Sequence, residues 1–476
     1  MDWSICKTLG IKRTGKPTLE QNQSTQLNPA AAKPIFTSAA LRQLIIPLIL
    51  EQLLAMTVGL AAVVMITRVG EAAVSGVSLV DSLNVLIISI LSALCTGGAV
   101  VCAQYIGRQE VERARVSARQ LIYISLIFSV AVGAVLLCAP RFFVQLIFGT
   151  LDETVAESAR IYLLFSAISF PFLALYNACA ALFRAMGNSR VSLYVSLVMN
   201  IVNISLNAVL IYSLKIGVLG AGIATATARA VAAILMLLLI RSKSNVIYVR
   251  KLWPIHFEKN MVQSILSIGV PNGLENGMFN FGKLLVQTLV AWLGTSAIAA
   301  NAIIGSIFNI AVVPGMGMSL AVLTVVGQCI GAGDYQQAIS YTKKLMIIAY
   351  AAMAVVNIPI LLFSGPIVRW FSLSPAAESV TLRVLPVIAI ACCTVWPYSF
   401  AFPNTLRAAG DARFTMVVST CSMWAVRFGL SYLLIKQFSF GLEGVWYCMI
   451  ADWVVRCVFF FFRYRGGKWK TKTVLR

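Results

Sequence analysis

Acidic residues are scarce in this chain, which has 17 aspartates and glutamates against 38 lysines and arginines. Charged residues of both signs make up 12% of its 476 residues, whereas a soluble domain has about 25%. There is no G-x-x-x-x-G-K-S/T phosphate loop, and the eleven cysteines lack the paired spacing of a metal site. The only histidine, His256, lies in a polar connector. These deficits exclude a soluble globular class, and they argue against an ATP-driven pump, a resident metal or cofactor, and an enzyme.

Long apolar runs take up most of the chain, since 59% of the residues are apolar and the mean hydropathy is +0.86. A helix of about 20 apolar residues crosses about 30 Å of hydrocarbon. Strand-like alternation is missing, which argues against a β-barrel. The sequence therefore predicts an all-α integral membrane protein with twelve transmembrane helices, at residues 41–67, 75–105, 117–138, 156–183, 190–213, 217–240, 262–291, 298–329, 341–364, 377–404, 414–435 and 441–463.

Basic residues indicate the orientation of these helices, because cytoplasmic loops are enriched in lysine and arginine. With both termini in the cytoplasm, the inner segments hold about 27 of the 38 basic residues and the outer segments about seven. The net charge of +21 is thus a topology signal with added attraction to membrane lipid, and it requires no nucleic-acid binding. We expect a multi-pass monomer in a bacterial cytoplasmic membrane.

A polar segment at the midpoint separates two sets of six helices that resemble each other at a nearly constant offset, which pairs Glu51 with Glu275. The matching pairs are IIPLILEQLL and GVPNGLENGM, RVGEAAVSGVSL and WLGTSAIAANAI, AQYIGRQEVERA and GQCIGAGDYQQA, LFRAMGNSR and TLRAAGDAR, and IGVLGAGIA and FGLEGVWYC. An even number of helices per repeat gives the two lobes the same orientation, with a pseudo-twofold axis along the membrane normal. The predicted divisions are a disordered basic tail (1–37), an N-lobe (38–240), a linker (241–260), a C-lobe (261–464) and a second basic tail (465–476).

The chain resembles the multidrug and toxic compound extrusion (MATE) family over residues 38–465. The resemblance rests on the first-helix proline with RVGEAAVSGVSL, on AQYIGR with GQCIGAGDYQQA, on LFRAMGNSR with TLRAAGDAR, and on NIVNISLNAVLIY in the fifth helix. It implies two six-helix bundles that export organic, usually cationic, compounds in exchange for Na⁺ or H⁺. A small, cationic molecule is then the expected substrate, and the gradient of an ion is the expected energy source.

The acids that some family members use for ion coupling are absent from this chain. The first helix has Ala62 where the family often has aspartate, and the fifth helix has Asn203 and Asn207 in place of an Asn-Asp pair. In the seventh helix Phe279 stands where the family commonly has glutamate, and Glu275 lies one turn earlier. The intramembrane charges of this chain must therefore be interpreted directly.

Carboxylates inside a membrane are costly and are usually functional or paired. Glu275 and Glu51 each lie one turn past a proline, at equivalent positions of the repeat and near mid-depth by residue count. A proline frees the carbonyl one turn before it, so oxygens suited to Na⁺ or to a protonated carboxyl are expected there. Both glutamates are predicted ion-coupling residues, with Na⁺ near Glu275. The alternatives are a neutral, hydrogen-bonded carboxylic acid and an ion pair that fixes the packing.

Further polar side chains lie in the predicted spans. Lys283 could pair with another acid, face the outer vestibule, or recognise an anionic part of a substrate. Arg229 could neutralise Glu51 or Asp81. An asparagine stripe in the fifth helix fits either a cavity wall or an interhelix hydrogen-bond seam, and the family resemblance favours the wall. The predicted substrate-cavity residues are Asn203, Asn207, Asn276, Met278, Lys283, Asp81 and Arg229.

Asp452 and Arg456 are four residues apart and share a helix face, and Arg427 in the neighbouring helix can join them. These three residues are predicted to form a structural charge network in the C-lobe. The function expected from the whole sequence is secondary active efflux of amphipathic organic cations, by antiport with Na⁺ or H⁺ and alternating access. The alternative is a flippase or exporter for an anionic or lipid-linked metabolite.

Overall fold

A computed structural model describes residues 34–149, 151–250, 253–371, 373–438, 440–472 and 474–475, without the side chains at 58, 60–63, 146 and 148. Most of the predicted N-terminal tail (residues 1–33) and the side chain of Ala62 lie outside the described residues. The chain from Phe36 onward forms one unit, in which every described helix lies.

The first half consists of membrane-length helices joined by short turns. In chain order they are α1 (Ser38–Thr67), α2 (Glu71–Gly107), α3 (Val111–Cys138), the short connector α4 (Pro140–Phe148), α5 (Glu153–Ala185), α6 (Ser189–Asn207) and α7 (Gly217–Ile240). A π-helical segment, Ala208–Ser213, extends α6. The sixth helix of this half ends where the predicted linker begins.

The second half repeats this order with more interruptions. Its helices are α8 (Lys259–Ala291), α9 (Thr295–Ala311), α10 (Val313–Gly331), α11 (Tyr335–Leu362), α12 (Ser364–Trp370), α13 (Pro375–Thr394), α14 (Pro403–Ala408), α15 (Ala412–Ser422), α16 (Ser431–Phe438) and α17 (Leu442–Arg465). π-Helical segments at Pro397–Ala401 and Met423–Leu430 join α13 to α14 and α15 to α16. Prolines start α14 and stand second in α10, where a missing N–H costs no helical hydrogen bond.

The predicted fold class is confirmed. Eleven helical segments of the described chain are long and apolar enough to cross a membrane. The remaining long helix is α8, whose 33 residues include Asn272, Glu275 and Lys283 and are therefore less apolar. Counting α8 gives the twelve predicted spans, with α9 and α10 forming one of them.

The sequence repeat reappears in the backbone conformation. Gly70 and Gly294, which occupy equivalent positions of the repeat, have φ of 129° and 93° and precede α2 and α9. Gly187 and Gly410 have φ of 79° and 90° and follow α5 and α14. Glycine occupies such conformations without the steric penalty of a Cβ atom. The two halves therefore turn in the same way at corresponding helix ends.

The halves meet mainly along four helices. In the first half α2 packs against α8 and α10, and α1 packs against α10. These contacts place the candidate ion-coupling helices, α1 and α8, beside the boundary between the halves.

Candidate functional site

Glu275, in the middle of α8, is 8% exposed and forms an ion pair with Arg407. The Arg407 guanidinium, which extends from the last turn of α14, donates to Glu275 Oε1 at 2.7 Å and to Asn404 Oδ1 at 3.0 Å. Glu275 Oε2 and Arg407 Nε have no hydrogen-bond partner within the described part of the chain. The carboxylate is thus neutralised on one oxygen and unsatisfied on the other.

Glu51 in α1 has the corresponding environment in the first half. Arg184, in the last turn of α5, approaches Glu51 Oε1 at 3.3 Å, and Ser192 of α6 donates to Oε2 at 2.8 Å. The two arginines come from the paired motifs LFRAMGNSR and TLRAAGDAR. The pseudo-twofold relation between the halves therefore extends to their buried ion pairs.

The carbonyl that Pro47 frees already has a partner. Ser189 Oγ contacts the Gln43 carbonyl oxygen at 3.2 Å and donates to the neighbouring Leu44 carbonyl at 2.7 Å. In the first half, then, the carbonyl oxygen freed by Pro47 contacts a serine hydroxyl, and the expected ion site beside Glu51 stays a prediction. No group of three or more His, Cys, Asp or Glu side chains that could hold a metal occurs among the described residues.

One expectation about the arginines needs correction. From the sequence, Arg184 and Arg407 count as charges of the inner loops. In the structure each arginine instead pairs with a buried glutamate, because a long arginine side chain can reach back along the bundle from the last turn of its helix. The repeated arginine in the paired motifs was the signal that could have revealed both partners. The ion-coupling role of Glu275 and Glu51 stays a prediction.

Two glutamines join the halves by reciprocal hydrogen bonds. Gln104 in α2 donates from Nε2 to the Ala408 carbonyl at 2.7 Å, and Gln328 in α10 donates from Nε2 to the Ala185 carbonyl at 2.7 Å. The glutamines occupy equivalent positions of the sequence repeat, and each acceptor directly follows an ion-paired arginine. We call these two bonds the reciprocal glutamine contacts.

Two glycines allow the backbones to approach closely at the same place. A Cβ atom on Gly107 would overlap the Gln328 carbonyl oxygen, and one on Gly331 would overlap the Gln104 carbonyl oxygen. These glycines are also equivalent in the repeat, and they end α2 and α10. The halves are therefore in direct backbone contact at the helix ends that the charge pattern predicts to be cytoplasmic.

A second polar cluster lies inside the first half. Asn84 Nδ2 approaches Asp81 Oδ1 and Ser166 Oγ, each at 3.2 Å, and Arg229 donates to Ser169 Oγ at 2.6 Å. Asp81 and Arg229 also interact electrostatically. Of the two partners considered for Arg229, the structure brings Asp81 near it, while Glu51 pairs with Arg184. This cluster has one acidic and one basic residue.

The asparagine stripe contacts neighbouring protein. Asn207 donates to Asn203 Oδ1 at 3.1 Å, and Asn203 approaches Thr225 Oγ1 of α7 at 3.5 Å. Asn276 of α8 approaches the Ser89 carbonyl of α2 at 3.5 Å, which places it at the boundary between the halves. Met278 is 37% exposed. Their roles in a substrate cavity remain predictions.

The second half contains a dense charge cluster. Arg456 binds Asp452 through two hydrogen bonds, Nε to Oδ1 at 3.0 Å and the terminal nitrogen to Oδ2 at 2.9 Å. Ser422 also donates to Asp452 Oδ1. Arg427 interacts electrostatically with both members of the pair, so the structure brings the three predicted network residues together.

Lys283 belongs to the same cluster. Its ammonium nitrogen lies 5.4 Å from the centre of the Phe279 ring, and the guanidinium carbons of Arg427 and Arg456 lie 5.5 and 5.6 Å from it. Of the three alternatives for Lys283, pairing with an acid is not formed among the described residues, and its side chain is exposed. The other two stay predictions. No feature of the sequence alone indicated that three cations surround one aromatic ring.

Comparison with known proteins agrees with this architecture. The MatE family model matches residues 47–209 and 271–433, two segments separated by the same offset as the repeated motifs. The chain is 27% identical to a probable multidrug resistance protein NorM of Thermotoga maritima, over 91% of this chain and 93% of that protein. It is 26% identical to an uncharacterized transporter YisQ of Bacillus subtilis, over 94% and 99%.

Solved structures share the fold at lower identity. A MOP superfamily transporter from Pyrococcus furiosus, described as having a binding pocket of reversed polarity, superposes with a TM-score of 0.84 at 20% identity, over 91% of this chain and 96% of that one. A MATE family transporter in an outward-facing conformation gives 0.83 at 20% identity, with the same coverage. The duplicated family match, the twelve spans and the reciprocal contacts between the halves lead to one assignment: the chain belongs to the MatE family of multidrug and toxic compound extrusion transporters and is a multi-pass membrane protein.

Proposed function

We propose that this chain is a secondary active exporter that moves amphipathic organic compounds by alternating access, in exchange for Na⁺ or H⁺. The observation that carries the proposal is the pair of reciprocal glutamine contacts, Gln104 to Ala408 and Gln328 to Ala185. Two related halves that close against each other symmetrically at one end can open there by rocking about their axis. The charge pattern assigns that end to the cytoplasm, with both termini on the same side.

The ion pairs provide a means of coupling. Arg407 directly precedes Ala408, the acceptor of the Gln104 bond, and Arg184 directly precedes Ala185, the acceptor of the Gln328 bond. A proton or Na⁺ that binds Glu275 competes with Arg407 for the carboxylate. Release of Arg407 changes the last turn of α14 and with it the bond that holds the halves together. An ion shifts the equilibrium between the closed and open arrangements of the halves only if it binds one arrangement more tightly than the other.

Organic cations are the substrates that family membership favours. A specific observation favours a second candidate, the export of anionic or lipid-linked metabolites: the charged cluster of the second half contains three cations and one acid. A structural relative is itself described as having a pocket of reversed polarity. We place the protein in the bacterial cytoplasmic membrane as a monomer in contact with lipid, without a resident cofactor and without a nucleic-acid partner.

The test is ion-driven transport by the purified full chain in proteoliposomes. Ethidium efflux is followed by fluorescence after separate Na⁺ and pH jumps. We expect Glu275→Gln to abolish the response to the coupling ion, because the neutral amide has no charge for which the ion and Arg407 compete. The matched control is Glu443→Gln. It disrupts an exposed glutamate–arginine pair, in which Arg383 Nε lies 2.6 Å from Glu443 Oε1, and this variant should transport normally. Full ion-driven efflux by the Glu275 variant would refute the coupling mechanism.

A further inference from the structure

We propose that the cationic cluster of the second half binds the anionic group of an aromatic organic substrate. The cluster consists of Lys283, Arg427 and Arg456 around Phe279, and we call it the Phe279 cluster. This inference rests on the proposed exporter function, and it specifies the chemical class of the cargo.

The first argument is the charge balance. The three cationic groups lie 5.4 to 5.6 Å from the centre of one ring, and Asp452 is the only acid that interacts with them among the described residues. Attraction to the electron-rich face of a ring stabilises a cation modestly and supplies no negative charge. The cluster therefore carries two positive charges in excess, with Arg427 and Arg456 buried and Lys283 exposed.

The second argument is that Asp452 is already occupied. Its two oxygens accept from Arg456, and Oδ1 also accepts from Ser422. Arg427 is 8% exposed, forms no ion pair among the described residues, and has a buried Nε without an acceptor. A buried cation without a hydrogen-bonded counter-ion is unfavourable, and a bound anion would relieve this cost.

The third argument is a further donor close by in the chain. Trp424 lies three residues before Arg427, and its buried indole N–H also lacks an acceptor. Both residues lie in the π-helical segment Met423–Leu430. Widened helical turns of this kind occur frequently at functional sites. The segment thus contributes two donors without acceptors, and carboxylate, sulfonate and phosphate oxygens are acceptors.

Aromatic rings next to the cations indicate the rest of the ligand. Phe279 packs edge-on against Phe400 with ring centres 6.2 Å apart, and Phe400 stacks on Trp396 at 5.0 Å. Phe281 and Trp424 are in contact at 5.8 Å. Such rings bind flat apolar bodies, while a few placed polar groups fix the orientation. An aromatic anion would contact the cations with its charged group and the rings with its flat body.

The first half lacks this excess charge. Its polar cluster contains one acid, Asp81, and one base, Arg229. Its glutamate–arginine pair, Glu51 with Arg184, is likewise neutral. The substrate's anionic group is therefore assigned to the second half, and the asymmetry between otherwise repeated halves supports a specific role for the Phe279 cluster.

The experiment compares two dyes that share a xanthene ring system, the anion fluorescein and the cation rhodamine 123. The full chain is placed in nanodiscs of zwitterionic phosphatidylcholine, and dye binding is measured by fluorescence anisotropy. Fluorescein should bind saturably. Lys283→Met should weaken that binding about tenfold, as expected for loss of one charge-assisted contact, while Lys283→Arg should retain it. Lys283 is exposed, so the substitution leaves no buried hole.

The control is Lys343→Met, which removes one exposed positive charge at the end of the protein predicted to be cytoplasmic, and it should bind fluorescein like the unmodified chain. Arg427→Lys, which keeps the charge and loses the guanidinium donors, should weaken binding less than Lys283→Met. Rhodamine 123 should bind no more weakly to the Lys283→Met variant than to the unmodified chain.

The outcomes separate this inference from the exporter proposal. Absence of saturable fluorescein binding, or equal losses in the Lys283 and Lys343 variants, overturns the inference. Displacement of fluorescein by an equal concentration of inorganic phosphate also overturns it, since the aromatic body would then contribute nothing. Ion-driven transport of rhodamine 123 without fluorescein binding leaves the exporter standing and the inference refuted. Lys283-dependent fluorescein binding without ion-driven movement of either dye supports the inference and refutes the exporter.

Discussion

The Glu275–Arg407 pair should behave as a strongly coupled unit when it is removed one partner at a time. Glu275→Gln leaves Arg407 buried with only Asn404 as an acceptor, and Arg407→Gln leaves a buried carboxylate without its counter-ion. In the double variant both charges are gone, and two amides can hydrogen-bond across the same gap. We expect the double variant to lose less free energy of unfolding than the sum of the two single losses.

The magnitude follows from the geometry. At 2.7 Å two unit charges attract each other by about 6 kcal/mol if the effective dielectric constant is about 20. The cost of removing both groups from water offsets much of this attraction. Losing one partner should therefore lower the free energy of unfolding by about 3–5 kcal/mol, with a coupling energy of about 3 kcal/mol between the two substitutions. The side chains are 10% and 13% exposed, so screening by water is limited.

The assay is a double-mutant cycle on the free energy of unfolding, measured by titrating the protein in mixed micelles with sodium dodecyl sulfate. The corresponding pair in the first half provides an internal comparison. Glu51 and Arg184 are 3.3 Å apart, and Ser192 still donates to Glu51 when the arginine is lost. That cycle should give the smaller coupling energy, about 2 kcal/mol. Additive losses at Glu275 and Arg407 would refute the claim that they form a buried pair.

Three further predictions concern the remaining contacts. Gly331→Ala should force α2 and α10 apart, because its Cβ overlaps backbone, and should speed maleimide labelling of the buried Cys329, followed by mass spectrometry. Asp452→Asn should lower the free energy of unfolding by about 3–5 kcal/mol, more than Asp81→Asn, since Asp452 alone is fully buried beside two arginines. Asn357→Leu should cost about 1–2 kcal/mol in the same titration, because its amide donates at 3.0 Å to the last carbonyl of α9.

Each of these three predictions has an outcome that would contradict it, and the glycine substitution also has a control variant. Gly365→Ala, at a position where a Cβ meets open space, should leave labelling unchanged. Equal labelling rates for the two glycine variants would contradict the close contact between the halves. An Asp81 variant that is less stable than the Asp452 variant would contradict the assigned charge balance. A neutral effect of the Asn357 substitution would mean that another donor satisfies the α9 carbonyl.

Local patterns in the sequence predicted the fold well. Hydropathy gives most of the helices, and the constant offset between matching motifs gives the duplication that the backbone repeats at Gly70 and Gly294. The i, i+4 spacing of Asp452 and Arg456 correctly placed the two charges on one face. In these cases the signal can be read from the sequence itself, as an apolar run, a repeated motif or a helical spacing.

The site depended on pairings that local patterns do not contain. Gln104 and Ala408 are 304 residues apart, and Glu275 and Arg407 are 132 apart. An arginine at a helix end counts as a loop charge until the structure shows where its side chain lies. The position of Phe279 between cations from three helices likewise follows from packing alone.

The reciprocal glutamine contacts bear on how the duplicated chain arose and on whether its halves can be produced separately. Each half contributes both a glutamine donor and a carbonyl acceptor, so the contact surface of either half is complementary to itself. Surfaces of this kind join identical subunits in twofold dimers. A single six-helix polypeptide therefore has the groups needed to associate with a second copy of itself, and two separately synthesised halves have the groups needed to find each other in a bilayer.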